Sequence, residues 1–160
     1  LQFEFEEIEA LTLGARMVET WSGPKLAGAA ASALAKIATA LPKERRIWLE
    51  ASRTFVPDFH ISKQVGERFD AVRAAIAAKN KLDFVYADEQ KQLSHRTVWP
   101  LSLYFWGEHW TLGAWCELRE DFRSFRIDRM LRLKQLPVCF PDQSGRRLSD
   151  FARMQCARDS

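Results

Sequence analysis

Glycine, cysteine and histidine are all scarce in this sequence. Its 160 residues hold seven glycines, three cysteines and three histidines. The glycines stand singly, which leaves no glycine-rich loop to cradle a phosphate. Cys116, Cys139 and Cys156 are odd in number and far apart, matching neither a disulfide framework nor metal-ligand spacing. His60, His95 and His109 share no ligand spacing with one another or with the cysteines, so no metal and no cofactor is expected. Free thiols fit a reducing compartment, and a cytoplasmic location is expected. Long apolar runs are missing too. The stretch Leu26–Ala35 contains Gly28 and Ser32 and lies between Lys25 and Lys36, too short to span a bilayer. Glu4, Glu6, Glu7 and Glu9 make the first residues acidic, unlike a signal peptide. The chain opens on Leu1, as a fragment of a longer protein would. Charge of one sign is also weak, with a net +3, so any basic surface must come from local clustering.

What is present is an ordinary globular composition. Hydrophobic residues make up 47% and charged residues 28%, enough for a real core in a wettable chain. Six tryptophans are many for this length and need burial or a partner. Periodicity divides the chain into a helical first half and a strand-rich second half. Ile8, Leu11, Ala15 and Val18 recur at helical spacing, with Thr12, Arg16 and Glu19 for the wet side. Ser22-Gly23-Pro24 breaks that helix. Leu26, Ala30, Ala33, Leu34, Ile37 and Leu41 form a second stripe, ended by Pro42. A third helical stretch is expected over Glu44–Ser52, with Pro57 ending it. A fourth is expected over Ser62–Lys79, with Ser62 as N-cap and Val65, Phe69, Val72 and Ile76 on its apolar face.

After Asn80 the period shortens to two. Strands are expected over Leu82–Tyr86, Arg96–Tyr104, His109–Leu118, Phe122–Asp128 and Leu131–Leu136, joined by short turns. Five such strands cannot bury themselves as one flat sheet, and a small closed barrel removes the exposed edges. Trp110, Leu112, Ala114 and Cys116 share one face of their strand, the continuously apolar one, and are expected inside. A short terminal helix from Gly145 should dock through Leu148 and Phe151.

Enzymatic sites come out poorly. Ser94 and His95 are neighbours in sequence, which says nothing of a dyad in space. Glu117 and Asp121 flank a turn, where acids are usually solvated. No catalytic residue is expected and the protein is read as a non-enzyme. The basic cluster is more informative. Arg119–Lys134 holds six basic residues, Arg119, Arg123, Arg126, Arg129, Arg132 and Lys134, against the three acids Glu120, Asp121 and Asp128. Arginine presents a rigid fork that fits phosphate or carboxylate. Any one of these arginines can equally form a structural ion pair with Asp128 or Glu117; the cluster together points to an anion site, with Arg96 joining from another strand. Alternation sets Arg123 with Phe125 and Arg126 with Ser124, so the two arginines face opposite ways unless a bulge re-aims one. Arg126 beside Ser124 is favoured, because that face is polar.

The run from His109 to Arg119, HWTLGAWCELR, resembles the WYL signature with Thr111 in place of the tyrosine. Asp121–Arg129, DFRSFRIDR, is similar to that family's Arg-x-Phe-Arg-x-Asp-Arg ending, and Arg96–Leu101 to its Arg-x-x-x-Pro-Leu segment. Glu9-Ala10-Leu11 and Leu13-Gly14-Ala15-Arg16 resemble the linker behind the winged helix of YafY-like, DeoR-type regulators. The resemblance implies an α+β chain: a helical linker and dimerisation segment at 1–60, a five-stranded Sm-like or SH3-type β-barrel at 61–138, and a short C-terminal tail with a helix at 139–160. It implies the ligand-sensing domain of a bacterial transcription regulator whose barrel binds single-stranded nucleic acid or a nucleotide-like anion. Its ligand-binding candidates here are Arg96, Trp110, Arg119, Arg123, Ser124, Arg126 and Arg129. Thr111 removes the ring and hydroxyl that the tyrosine supplies elsewhere.

A homodimer is expected, from the alanine-rich stripe of the second helix and the two-fold symmetry common among helix-turn-helix regulators. The alternative is an interaction module whose basic face docks an acidic protein. Duplex DNA should be reached only through an attached winged helix, since the first half holds no basic recognition helix and its first helix has an acidic face that phosphates repel. These 160 residues alone are therefore expected to give no footprint on any specific operator at physiological salt. A protected operator site would overturn that expectation.

Overall fold

The computed structural model describes residues 3–50, 56 and 61–158. It forms two compact units, Leu1–Asp70 and Ala71–Ser160. In the first, α1 (Phe5–Trp21), α2 (Pro24–Ala40) and α3 (Lys43–Glu50) follow one another, and α4 (Lys63–Ala78) begins. A reciprocal pair of side-chain and backbone bonds between Glu4 and Glu7 starts α1. The buried residues of α1 are Ile8 and Thr12, while Leu11 is exposed. The expected stripe is thus corrected: Thr12 lies one turn on from Ile8 and turns inward, and its hydroxyl is buried with no partner among the described residues. Residues 51–55, 57–60 and the expectations on Ser52, Pro57 and His60 lie outside the described residues.

The turn between α1 and α2 is fixed by a close approach. A Cβ on Gly23 would stand 2.2 Å from the Gly66 carbonyl oxygen and 2.4 Å from Asp70 Cγ, so only glycine fits. The Lys25 N–H donates to Asp70 Oδ2 at 2.8 Å. A buried carboxylate on α4 thereby caps the N-terminus of α2, where free N–H groups and the helix dipole favour an anion. Ser62 caps α4 as expected, accepting from the Val65 N–H at 3.3 Å.

The second unit is built on five antiparallel strands: β1 (Asn80–Ala87), β2 (Leu93–Phe105), β3 (Trp110–Cys116), β4 (Asp121–Arg126) and β5 (Met130–Cys139). Their order across the sheet is β4-β3-β2-β1-β5. The long β2 pairs with β1 through its first half and with β3 through its second, and the register shifts between Pro100 and Ser102. β4 stops earlier than expected, and Ile127–Arg129 form a single 3-10 turn that leads into β5. The turn at Glu120 adopts a left-handed φ of 49°.

Register identifies the inner face. Leu82 lies opposite Val98, Val98 opposite Cys116, and Leu112 opposite Phe125. All five are buried, with Ala114 and Phe84. Leu112, Ala114 and Cys116 are indeed inside, and Trp110 at the strand's end is half-buried. β4 and β5 are the two ends of the ladder, and Tyr86 fastens β4 across to β1. Its hydroxyl accepts the Arg126 N–H at 3.2 Å, and its ring meets Phe125 edge-on at 5.1 Å.

The outer face is covered by the tail. Helix α5 (Leu148–Arg158) inserts the fully buried Phe151 against Tyr104 and Phe122. A Cβ on Gly113 would approach the Phe151 ring to 2.4 Å. Phe151 docks as expected. Leu148 does not, remaining 45% exposed as the first residue of the helix. No described helix is long and apolar enough to cross a membrane. Replacing Phe151 by alanine should cost about 3–5 kcal/mol, the range for deleting a buried phenylalanine ring. Urea denaturation followed by tryptophan fluorescence measures it, and a loss well under 1 kcal/mol would mean that α5 does not hold the outer face.

Candidate functional site

Three arginines meet at one end of the barrel's inner face. Tyr86 lies opposite Ser94, Phe84 opposite Arg96, and Ala114 opposite Arg123, so these side chains leave the sheet on the side that holds the core. Deeper along the same rows the residues are apolar. At the mouth they become hydroxyls and guanidiniums, which reach water. The result is a cleft of about 270 Å³ lined by Tyr86, Asp88, Ser94, Arg96, Arg119, Arg123, Ser124 and Phe125. Phe84 and Phe125, packed edge-on at 5.3 Å, support it from the core.

The charge of the cleft is positive. Its one lining carboxylate, Asp88, is committed to its own hairpin, where Oδ1 accepts the N–H groups of Gln90 and Gln92 at 2.9 and 2.8 Å. Arg123 makes a loose pair with Asp121 at 3.5 Å, both half-exposed, a contact of little energetic weight. Arg119 has no carboxylate partner among the described residues. Several guanidinium forks, a hydroxyl from Ser94 or Ser124 and the edge of an aromatic floor can hold a phosphate-sized anion with an attached ring.

The arrangement brings together four of the seven candidates, Arg96, Arg119, Arg123 and Ser124. Arg126 is placed elsewhere. Its guanidinium grips Asp128 in a two-pronged pair, Nε to Oδ1 at 3.0 Å and Nη2 to Oδ2 at 2.9 Å. That hydrogen bond raises the Arg126 pKa further. Burial opposes ionisation of Asp128, but the Arg126 bond and charge outweigh it and hold the carboxyl below its ordinary value. Arg126 is thus a structural ion-pair residue and does not line the cleft, although Ser124, two positions before it, does. Polarity was a poor guide because Arg123 stands at the barrel's mouth, where an inner-facing side chain still reaches solvent. Arg129 pairs with Glu89 at 3.6 Å, and Trp110 packs on Phe105 at 4.9 Å; neither lines the cleft. Tyr86, Ser94 and Phe125 were missed as site residues. The signal for Tyr86 was its place in the row Leu82, Phe84, Tyr86, where a hydroxyl ends an inward apolar series.

Thr111 is buried and accepts the Trp106 indole N–H at 2.9 Å. It lies on the outer face, opposite Tyr104 and Arg126. Another polar group on that face is Glu117, which accepts the Trp99 indole N–H at 2.8 Å and the Lys81 ammonium at 2.5 Å. Among the described residues, no group of three or more His, Cys, Asp or Glu could hold a metal ion.

Residues 67–135 match the WYL domain. The residues that line the cleft, from Tyr86 to Phe125, all fall inside that matched stretch. No curated protein matches the chain. Among solved structures it is similar to proteasome accessory factor B/C (PafBC) of Arthrobacter aurescens, with 24% identity and a TM-score of 0.48. That similarity covers 89% of this chain and 22% of the other.

Burial opposes ionisation of Glu117, but the bonds from Lys81 and Trp99 prevail and hold its pKa below the usual 4.5. A carboxyl depressed in the folded state stabilises the fold fully above its unfolded pKa and loses that contribution as pH falls through the folded value. Wild type should therefore lose more melting temperature than Glu117→Gln between about pH 5 and pH 3. Parallel losses in a pH series of thermal melts would remove Glu117 from the acid response.

Proposed function

We propose that this chain is the ligand-sensing portion of a bacterial transcription regulator, with no enzymatic activity, and that its WYL barrel binds single-stranded nucleic acid or a nucleotide-like anion. The observation that carries this reading is the convergence of Arg96, Arg119, Arg123 and Ser124 on one cleft above Tyr86 and Phe125. Phosphates pair with the guanidiniums while a base lies against the aromatic floor. The cleft's size suits one nucleotide unit, so a longer strand would run over the rim past Arg119. The helical segment, residues 1–60, serves as linker and dimerisation element in this reading. Leu11, Leu13 and Met17, exposed along α1, support a role for that segment in pairing with a second copy. Ligand would favour one arrangement of the linkers, and so one spacing of two attached winged helices on duplex DNA. It can do so only by binding the two arrangements with different affinity.

The test is fluorescence anisotropy with a short labelled single-stranded oligonucleotide over a salt series. Arg96→Ala and Arg123→Ala should each weaken binding and lower the salt slope by about one unit or slightly less, as expected for one lost phosphate contact to a single strand. Their thermal melts should stay near wild type. Arg126→Ala should instead lower the melting temperature, through the orphaned Asp128. Unchanged affinity in the Arg96→Ala, Arg123→Ala double variant would overturn the site. Binding of an acidic protein with no oligonucleotide binding would turn the reading to an interaction module.

A further inference from the structure

A second cavity of the sheet unit is larger than the arginine cleft. Its volume is about 400 Å³, and it shares no lining residue with the arginine cleft. It opens between the end of α4, the irregular middle of β2 and the segment between β5 and α5. That volume falls in the range of small-molecule sites, about 300–1,000 Å³.

Two features define what it could hold. The first is an apolar floor. Ile76, Pro100, Leu101 and Phe140 line it, and the uncovered Leu148 adds its side chain at the mouth. This explains a leucine that packs on nothing in the core. The second is charge. Lys79, Arg146, Arg147 and Asp142 all line the cavity, three cations and one carboxylate. Arg147 neutralises Asp142, with Nε 2.5 Å from Oδ1. The Arg146 guanidinium is stacked 5.2 Å from the Trp99 ring and 4.6 Å from that of Trp115, and its charge acts on Glu117. Lys79 has no carboxylate partner among the described residues. Its backbone is fixed at a φ of 54°, and its carbonyl accepts the Phe140 N–H at 3.0 Å. One uncommitted cation is therefore anchored at the edge of an apolar hollow.

We infer that this cavity is a second ligand site, for a compact aromatic monocarboxylate whose ring lies on Ile76, Leu101 and Phe140 and whose carboxylate pairs with Lys79. A neutral ring would leave Lys79 unused. The site is independent of the nucleic-acid reading, since no residue is common to the two.

The test uses the whole chain and 2-naphthoate as the probe, with 2-naphthamide as its neutral counterpart. Amide chemical shifts of the wild-type protein should move saturably with 2-naphthoate at Ile76, Lys79, Leu101 and Leu148. Lys79→Gln should weaken 2-naphthoate about tenfold, the loss of one charge-assisted contact, and leave 2-naphthamide unchanged. Arg123→Ala should leave 2-naphthoate binding intact. Absence of saturable shifts at those residues overturns the inference, as does loss of binding in Arg123→Ala, which would put the probe in the arginine cleft. Equal binding by wild type and a folded Lys79→Gln would overturn the assigned role of the lysine. If Lys79→Gln does not fold, Leu148→Ala replaces it, and undiminished binding there would overturn the site.

Discussion

The sheet unit depends on how a five-stranded ladder is closed when its two end strands do not pair. β4 and β5 are joined only by one 3-10 turn. An open edge on that side would expose backbone donors and the core beside them. Tyr86 resolves this. Its hydroxyl takes the last N–H of β4, and its ring lies edge-on to Phe125, a geometry worth about 0.5–1.5 kcal/mol beyond simple burial. Arg126 contributes that N–H while its own guanidinium is held by Asp128. The clasp brings β1 and β4 near each other, and Arg96 on β2 and Arg123 on β4 line one cleft beside it. The cleft is a by-product of closure: residues that sit just past the clasp cannot be buried and must be polar.

A strand buried on both faces sets the second demand. β3 has the core on one side and Phe151 on the other, and glycine at 113 is what allows an aromatic ring to lie on its backbone. An 11-residue helix thus does for the outer face what a second sheet does in a sandwich. It brings its own polar chemistry with it. Arg146 lies between two indoles, and Glu117 is ringed by Lys81 and Trp99. The aromatic wealth of the sequence is spent largely on this cover and on the core.

The strands were legible because inward residues recur every second position and turns are short. So were Ser62 as a cap and Phe151 as an anchor, since both follow from local chemistry. Thr12 and Leu11 were misjudged because periodicity locates a stripe only to within one step around a helix, and alanine-rich partners tolerate either. The site was half legible. Alternation separated Arg123 from Arg126 correctly, but it does not say which side of β4 looks into the cleft. That depends on where along the barrel axis a residue sits, which is a property of β2's bend and the Tyr86 clasp. Asp70 reaching from α4 to cap α2 was invisible for the same reason: its partner is 45 residues away in sequence.

Among the described residues, four other than glycine hold a left-handed backbone: Lys79, Lys91, Glu120 and Arg132. All four carry a charge, and none is the asparagine that tolerates this conformation best. Each costs on the order of 1 kcal/mol against glycine at the same place. The sum is a sizeable part of the stability of a domain this small. Glycine at these turns would make a firmer fold with fewer ions on its rim. The chain therefore holds a reserve of stability that it has not drawn, and that reserve lies wholly in loop ends and a bulged edge, outside the core. An engineer could raise the melting point without touching a single buried atom, and would learn from any accompanying loss of response which of the four charges the protein keeps for use.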